Sequence, residues 1–278
     1  MANLGAQVTG GSILEPGRGW EAIGEGFKLT ADSAVDEAGN VYFTDARRNR
    51  IWKVDSGGKI TVWKKNSGGA HGIAMGPDGR LYAGQHDRKR IVEYTPGGQE
   101  TILAEGVQTH HLTVTDRKEV YFADGPNHQV WLLNRAGQKR VVSSEVDWPH
   151  GLRVSADRSF LIVTDAHNGE VWRFQIQADG SLTNGSPFFH LEIPAGPSEI
   201  EVGGVTVDTE GYVYFATRIG VQVSDSRGRV TEVVSPPGKS GLANVFFAGP
   251  NLQWLYVTDG DRLFRRFVKR RGVSSRGN

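Results

Sequence analysis

The chain has 278 residues, a formal net charge of +1, 38% hydrophobic residues, 37 glycines and no cysteine. There is enough apolar material for a sizeable core, so a disordered chain is excluded, and so are disulfides, zinc–thiolate sites and cysteine nucleophiles. A near-neutral balance gives no global pull toward nucleic acid, and no apolar run reaches membrane-spanning length.

The first residues, "MANLGAQVTGG", lack a charged region followed by an apolar stretch. No signal peptide is read there, and a cytoplasmic protein and a processed exported one look alike at this point. Next comes "GWEAIGEG" at Gly19–Gly26, which reads as a single strand. Six similar stretches follow, beginning at Ser33, Ile73, Leu112, Leu152, Val205 and Val245. Each runs as an apolar strand, a turn of the D-x-x-G kind, a second strand ending near Asp, a loop, a third strand, a Gly-rich turn and a fourth strand.

Short antiparallel strands repeated at about forty residues are the unit of a β-propeller, whose sheets bury their faces only against each other. The predicted fold is an all-β, six-bladed β-propeller in one domain spanning 1–278. Blades are expected from about 27, 67, 106, 146, 199 and 239, with a basic tail at 271–278. The last copy stops after its third strand, "RLFRRFVKR", so the strand at about 19–26 is expected to complete that blade and close the ring. Closure removes an open sheet edge. Trp52, Trp131 and Trp172 recur at one third-strand position and are expected to pack between blades.

Aligning the copies brings three histidines into register. His71, His110 and His150 each stand two residues before the first strand of their copy, where the other copies have Ala31, Gly203 and Ala243. In a propeller this position rings the central channel, so the three imidazoles are expected to converge. Neutral imidazole suits zinc, iron or copper better than calcium, and three such ligands leave coordination positions open for water or substrate. The predicted metal ligands are therefore His71, His110 and His150, holding a divalent transition metal. The competing reading is three channel-mouth histidines bonded to water or to each other. Candidate bases near the same face are His111, His86, Asp165 and Glu201; Asp124, His167 and Asp259 lie on similar loops. Asp45, Asp124, Asp165 and Asp259 recur so regularly that turn formation explains most of them. His128 and His190 read as structural.

The stretches "GFKLTADSAVDEAGNVYFTD", "HGIAMGPDGRLYAG", "WPHGLRVSADRSFLIVTDA", "GGVTVDTEGYVYFAT" and "NVFFAGPNLQWLYVTDGDRLFRRFVKRRG" resemble the gluconolactonases and their relatives, regucalcin and the senescence marker protein. The resemblance runs from about Phe27 to Gly272. It implies a six-bladed propeller with a divalent cation in the channel, held by a Glu, middle-blade Asn residues and an Asp. Those positions fall here on Ala31, on His71, His110 and His150, and on Gly203. Every ligand type differs, so the calcium preference is not expected to carry over. Asp32 adjoins Ala31 but faces another way, and Glu199 and Glu201 precede Gly203.

The resulting expectation is a metal-dependent enzyme acting on a small molecule, hydrolysing a lactone or ester. The alternatives are redox or lyase chemistry at the same metal, or a non-catalytic propeller that binds a small ligand or peptide. Arg262, Arg265, Arg266, Lys269, Arg270, Arg271 and Arg276 form a basic end, which reads as a solvated strand face and not as a nucleic-acid site. Neither a nucleic-acid nor a membrane partner is expected, and the oligomeric state is left open.

Overall fold

The computed structural model describes residues 11–194 and 202–274. These residues form six four-stranded antiparallel sheets, with two short 3-10 turns and no α-helix among them. The innermost strands of blades one to six are Thr30–Val35, Ala70–Met75, Leu112–Val114, Pro149–Val154, Val202–Val207 and Leu242–Ala248. No helix among the described residues is long and apolar enough to cross a membrane.

Within a blade the strands follow chain order, as hairpin connections require. The turns have a simple chemistry. At Asp36 the carboxylate accepts the Asn40 amide at 2.9 Å, and Gly39 takes a φ of 78°, which side chains disfavour. Blade six is completed as expected. Glu21–Gly24 pairs antiparallel with Arg262–Phe267, so the first strand of the chain closes the ring against the last.

The second strands are apolar almost throughout, as at Val41–Asp45 and Val213–Thr217, where every residue is buried. Both faces of each blade are therefore covered, and the core is divided among the seams. One apolar cluster joins blades one and two through Tyr42, Ile51, Leu81 and Tyr94. Another joins blades six and one through Phe43, Val54, Phe246 and Leu263. The remaining four seams are built alike. The tryptophans lie against these seams: Trp52 meets Phe27 edge-on at 5.5 Å, and Trp131 stacks on Phe122 at 6.1 Å. Truncating a fully buried seam residue such as Phe43 to Ala costs about 3–5 kcal/mol.

The closing strand also brings Ile13, which is buried in the seam between blades five and six. A chain beginning at Glu25 should lose both the strand and that contact. The expected result is a lower thermal midpoint and, from the exposed edge, self-association in size-exclusion chromatography. An unchanged midpoint would show that closure contributes nothing.

Candidate functional site

The innermost strands begin irregularly. Pairing slips between Thr30 and Ser33, Ala70 and Ile73, Pro149 and Leu152, Val202 and Val205, and Leu242 and Asn244. Such bulges re-aim side chains, and in these five blades they turn two consecutive residues toward the axis. One layer holds Ala31, His71, His110, His150, Gly203 and Ala243. The next holds Asp32, Gly72, His111, Gly151, Gly204 and Asn244. Threonines of the second strands fix the bulges to the next blade. Asp32 donates its amide to Thr44 Oγ1 at 3.0 Å, and Thr44 donates to the His71 carbonyl at 2.9 Å. Thr164 does the same between Gly151 and Gly203.

The first layer gathers imidazoles. The ring centres of His71 and His110 are 4.8 Å apart. His86, from the loop after Leu81–Gln85, sits 5.1 Å from His71 and 4.9 Å from His110. His150 stands 6.3 Å beyond His110. The tightest trio is thus His71, His86 and His110, with His150 to one side. His86 is placed by two left-handed glycines: its amide donates to the Gly69 carbonyl at 3.1 Å, and that of Asp87 to Gly68 at 3.2 Å. Its Nδ1 lies 3.7 Å from Asp87 Oδ1. No three His, Asp or Glu side chains among the described residues are placed as a closed metal cage.

The second layer is organised by Asp32, which is buried. Asn244 Nδ2 donates to its Oδ1 at 2.6 Å, and the Ser33 amide donates to the same oxygen at 2.8 Å. The Ile73 amide donates to Oδ2 at 3.0 Å, and His111 Nδ1 lies 3.4 Å from that oxygen. The His111 ring in turn meets His150 at 4.3 Å. Four blades therefore meet on one carboxylate. The glycines of this layer make room for it. A Cβ on Gly72 would press on the backbone of His111 at 2.8 Å, and one on Gly204 would overlap Asn244 Oδ1.

Burial sets the charge of the imidazoles. It pushes His71 down to about 3 and His110 down to about 4, with the neighbouring imidazoles adding to the effect. His150, more deeply buried, is held well below its ordinary value for the same reasons, and its Nδ1 has no hydrogen-bond partner. All three are neutral at pH 7. Protons compete weakly for them, which is what a metal ligand or an acceptor of a substrate hydroxyl needs.

The other candidates lie elsewhere. Asp165 is fully buried and accepts the amides of Asp147 and His167, so it braces its turn. Asp45 and Asp124 brace theirs in the same way. Glu199 and Glu201 lie outside the described residues. His128 and His167 flank Asp147 at 3.3 and 3.5 Å, and Trp148 stacks on His167 at 4.3 Å. Reading the strand starts as single positions missed Asn244 and undervalued Asp32. The signal was available: the residue after each aligned position is Asp, Gly, His, Gly, Gly or Asn.

The profile of the SMP-30/gluconolactonase/LRE-like region matches residues 30–260. The chain belongs to this family. A gluconolactonase of Zymomonas mobilis is 20% identical over 91% of this chain and 82% of its own length. The structure of a gluconolactonase from Xanthomonas campestris superposes with a TM-score of 0.81 at 22% identity, covering 92% of this chain and 91% of the other. A regucalcin from Agrobacterium tumefaciens, described as calcium-binding, gives 0.77 at 15% identity, covering 92% and 95%. At these identities the structures establish the shared fold. Within the family frame, this chain places imidazoles and small residues in the first axial layer.

Two measurements test this geometry. Gly204→Ala should displace Asn244 from Asp32 and destabilise the fold by about 1–3 kcal/mol. Gly19→Ala, which meets nothing within 4 Å, should stay within about 0.5 kcal/mol. Equal denaturant midpoints for the two would refute the packing argument.

The second concerns pH. The unfolded imidazoles titrate near 6.5, and the folded His71 and His110 near 3 and 4. Between those values the unfolded chain binds more protons, so stability rises with pH across that window and falls on acidification. His71→Gln should flatten the slope of unfolding free energy between pH 6.5 and 4. An unaltered slope would show that His71 is not held neutral.

Proposed function

We propose that the chain hydrolyses a lactone or related ester at the histidine-lined end of the channel. The observation that carries this reading is the gathering of His71, His86, His110 and His150 over the buried Asp32–His111 pair. Family membership and the gluconolactonase relative support the reaction class.

The donors suit a divalent transition metal in kind, being neutral nitrogens, although rotation of at least one side chain is needed to close a set of three. Held by His71, His110 and His150, such a metal would polarise the ester carbonyl and acidify bound water. His110 is packed among the other rings but keeps an exposed edge, and it meets the substrate first. His86 is partly exposed, and Asp87 stands beside its Nδ1, which favours a tautomer with a free Nε2. It takes the proton from the attacking water. His111 is too buried to reach substrate; paired with Asp32, it holds the His150 ring in place.

The test combines elemental analysis with hydrolysis of D-glucono-δ-lactone. Stoichiometric zinc, iron or copper is expected, lost in the Ala variants of His71 and His110, with turnover abolished by chelation. His86→Gln should lower kcat about 10²–10⁴-fold with metal content unchanged. Turnover that survives chelation would remove the metal and leave His86 as base. No metal under any loading and no turnover on a panel of lactones would identify a binding module.

A further inference from the structure

The axial layer of Asp32, His111 and Asn244 has a second side. Beyond it, away from the first-layer histidines, the inner strands enclose a cavity of about 620 Å³ that opens on the opposite face. Asp32, His111 and Asn244 line its deep end, while His71, His110 and His150 do not touch it. That volume is in the range of a site for a small organic molecule. Most of the wall is neutral: Ala34, Ile73, Leu112, Leu152, Val205 and Phe246 among others.

The charged residues Asp36, Glu37, Asp116, Arg117, Arg158 and Arg271 also line it, but beyond the ends of the strands, and Arg153 is the cation carried on an inner strand. It follows Leu152 on the innermost strand of blade four and lines the cavity. Its side chain keeps contact with the cavity yet lies far enough from bulk water that burial weakens its hold on its proton. Asp32 is the one charge that acts on it, and Asp32 does not bond to it. The Asp32 oxygens are already taken by Asn244, Ser33, Ile73 and His111. Among the described residues Arg153 makes no hydrogen bond or ion pair. The buried hydroxyls of Thr113 and Thr206, at the same level of the neighbouring blades, also lack partners there.

A charged fork with unused donors, beside two unpartnered hydroxyls on the inner strands, is built to receive an oxyanion. We propose that this channel binds a small organic anion, carrying a carboxylate or a phosphate, with Arg153 gripping the two oxygens and Thr113 and Thr206 donating beside it. The site is separate from the histidine face and does not rest on the reading of that face as a lactonase.

Calorimetric titration tests it, with inorganic phosphate, D-gluconate and glucose 6-phosphate as probes and glucose as the uncharged control. Binding of at least one anion at millimolar or lower concentration is expected, with glucose silent. Preference between gluconate and the two phosphates distinguishes carboxylate from phosphate. Arg153→Met, which keeps the length of the side chain, should weaken the anion about tenfold or more. Arg153→Lys, which keeps the charge without the fork, should fall between. Near-UV circular dichroism of each variant reports whether the fold is kept, and if the Met variant fails to fold, the Lys variant carries the test. The proposal is overturned by silence with all three anions, or by equal affinity in wild type and a folded Arg153 variant. It is overturned equally by an anion that competes with lactone at the histidine face in wild type and variant alike.

Discussion

The structure depends on one buried carboxylate. Asp32 sits near the axis and receives donors from its own blade, from Ile73 in blade two and from Asn244 in blade six, with His111 of blade three beside it. A lone ionised carboxylate withdrawn from water is expensive, and the cost is met only when its oxygens are filled. Here they are filled by groups that arrive from different blades, so the carboxylate is satisfied only when the ring is assembled. The apolar seams supply most of the stability, but they are alike around the ring and would tolerate small rotations. The Asp32 contacts specify one arrangement.

The same crowding governs the histidines. Five rings lie within reach of one another, from His86 at the rim to His111 in the second layer. Protonating one raises the cost of protonating its neighbours, and burial already opposes the charge. His71, His110 and His150 therefore share a neutral state well below the pH at which a free imidazole would titrate. His111 differs from them in its contact, with its Nδ1 3.4 Å from Asp32 Oδ2. Two imidazole–carboxylate pairs thus bracket the cluster, one buried at His111 and Asp32 and one exposed at His86 and Asp87.

Much of this was legible before the structure. The forty-residue period announces the blades, the missing fourth strand announces closure by the N-terminal segment, and the repeat register brings His71 and His110 together. What register cannot convey is the bulge. A regular strand presents alternate residues to one side, and on that pattern the residue after each aligned position faces away from the axis. The slip in pairing at Thr30–Ser33 and Leu242–Asn244 turns it inward and gives Asp32 and Asn244 their roles. Loop geometry was equally hidden. Asp165 ends a second strand and His86 follows one, and Asp165 folds back on its own turn while His86 reaches the cluster. The left-handed Gly68 and Gly69 beneath the His86 loop account for that difference.

The asymmetry of the first layer is the feature that a six-fold repeat would not supply. Blades two, three and four contribute His71, His110 and His150; blades five, six and one contribute Gly203, Ala243 and Ala31. The small residues are not interchangeable with larger ones, because a side chain on Gly203 would run into the Ala243 carbonyl. One half of the layer therefore carries polar nitrogen and the other half little beyond backbone. A ligand at this face meets hydrogen-bonding or metal-binding nitrogen along one side and small residues along the other. Blade repetition builds the ring; the departures from repetition, at three histidines and the facing small residues, build the site.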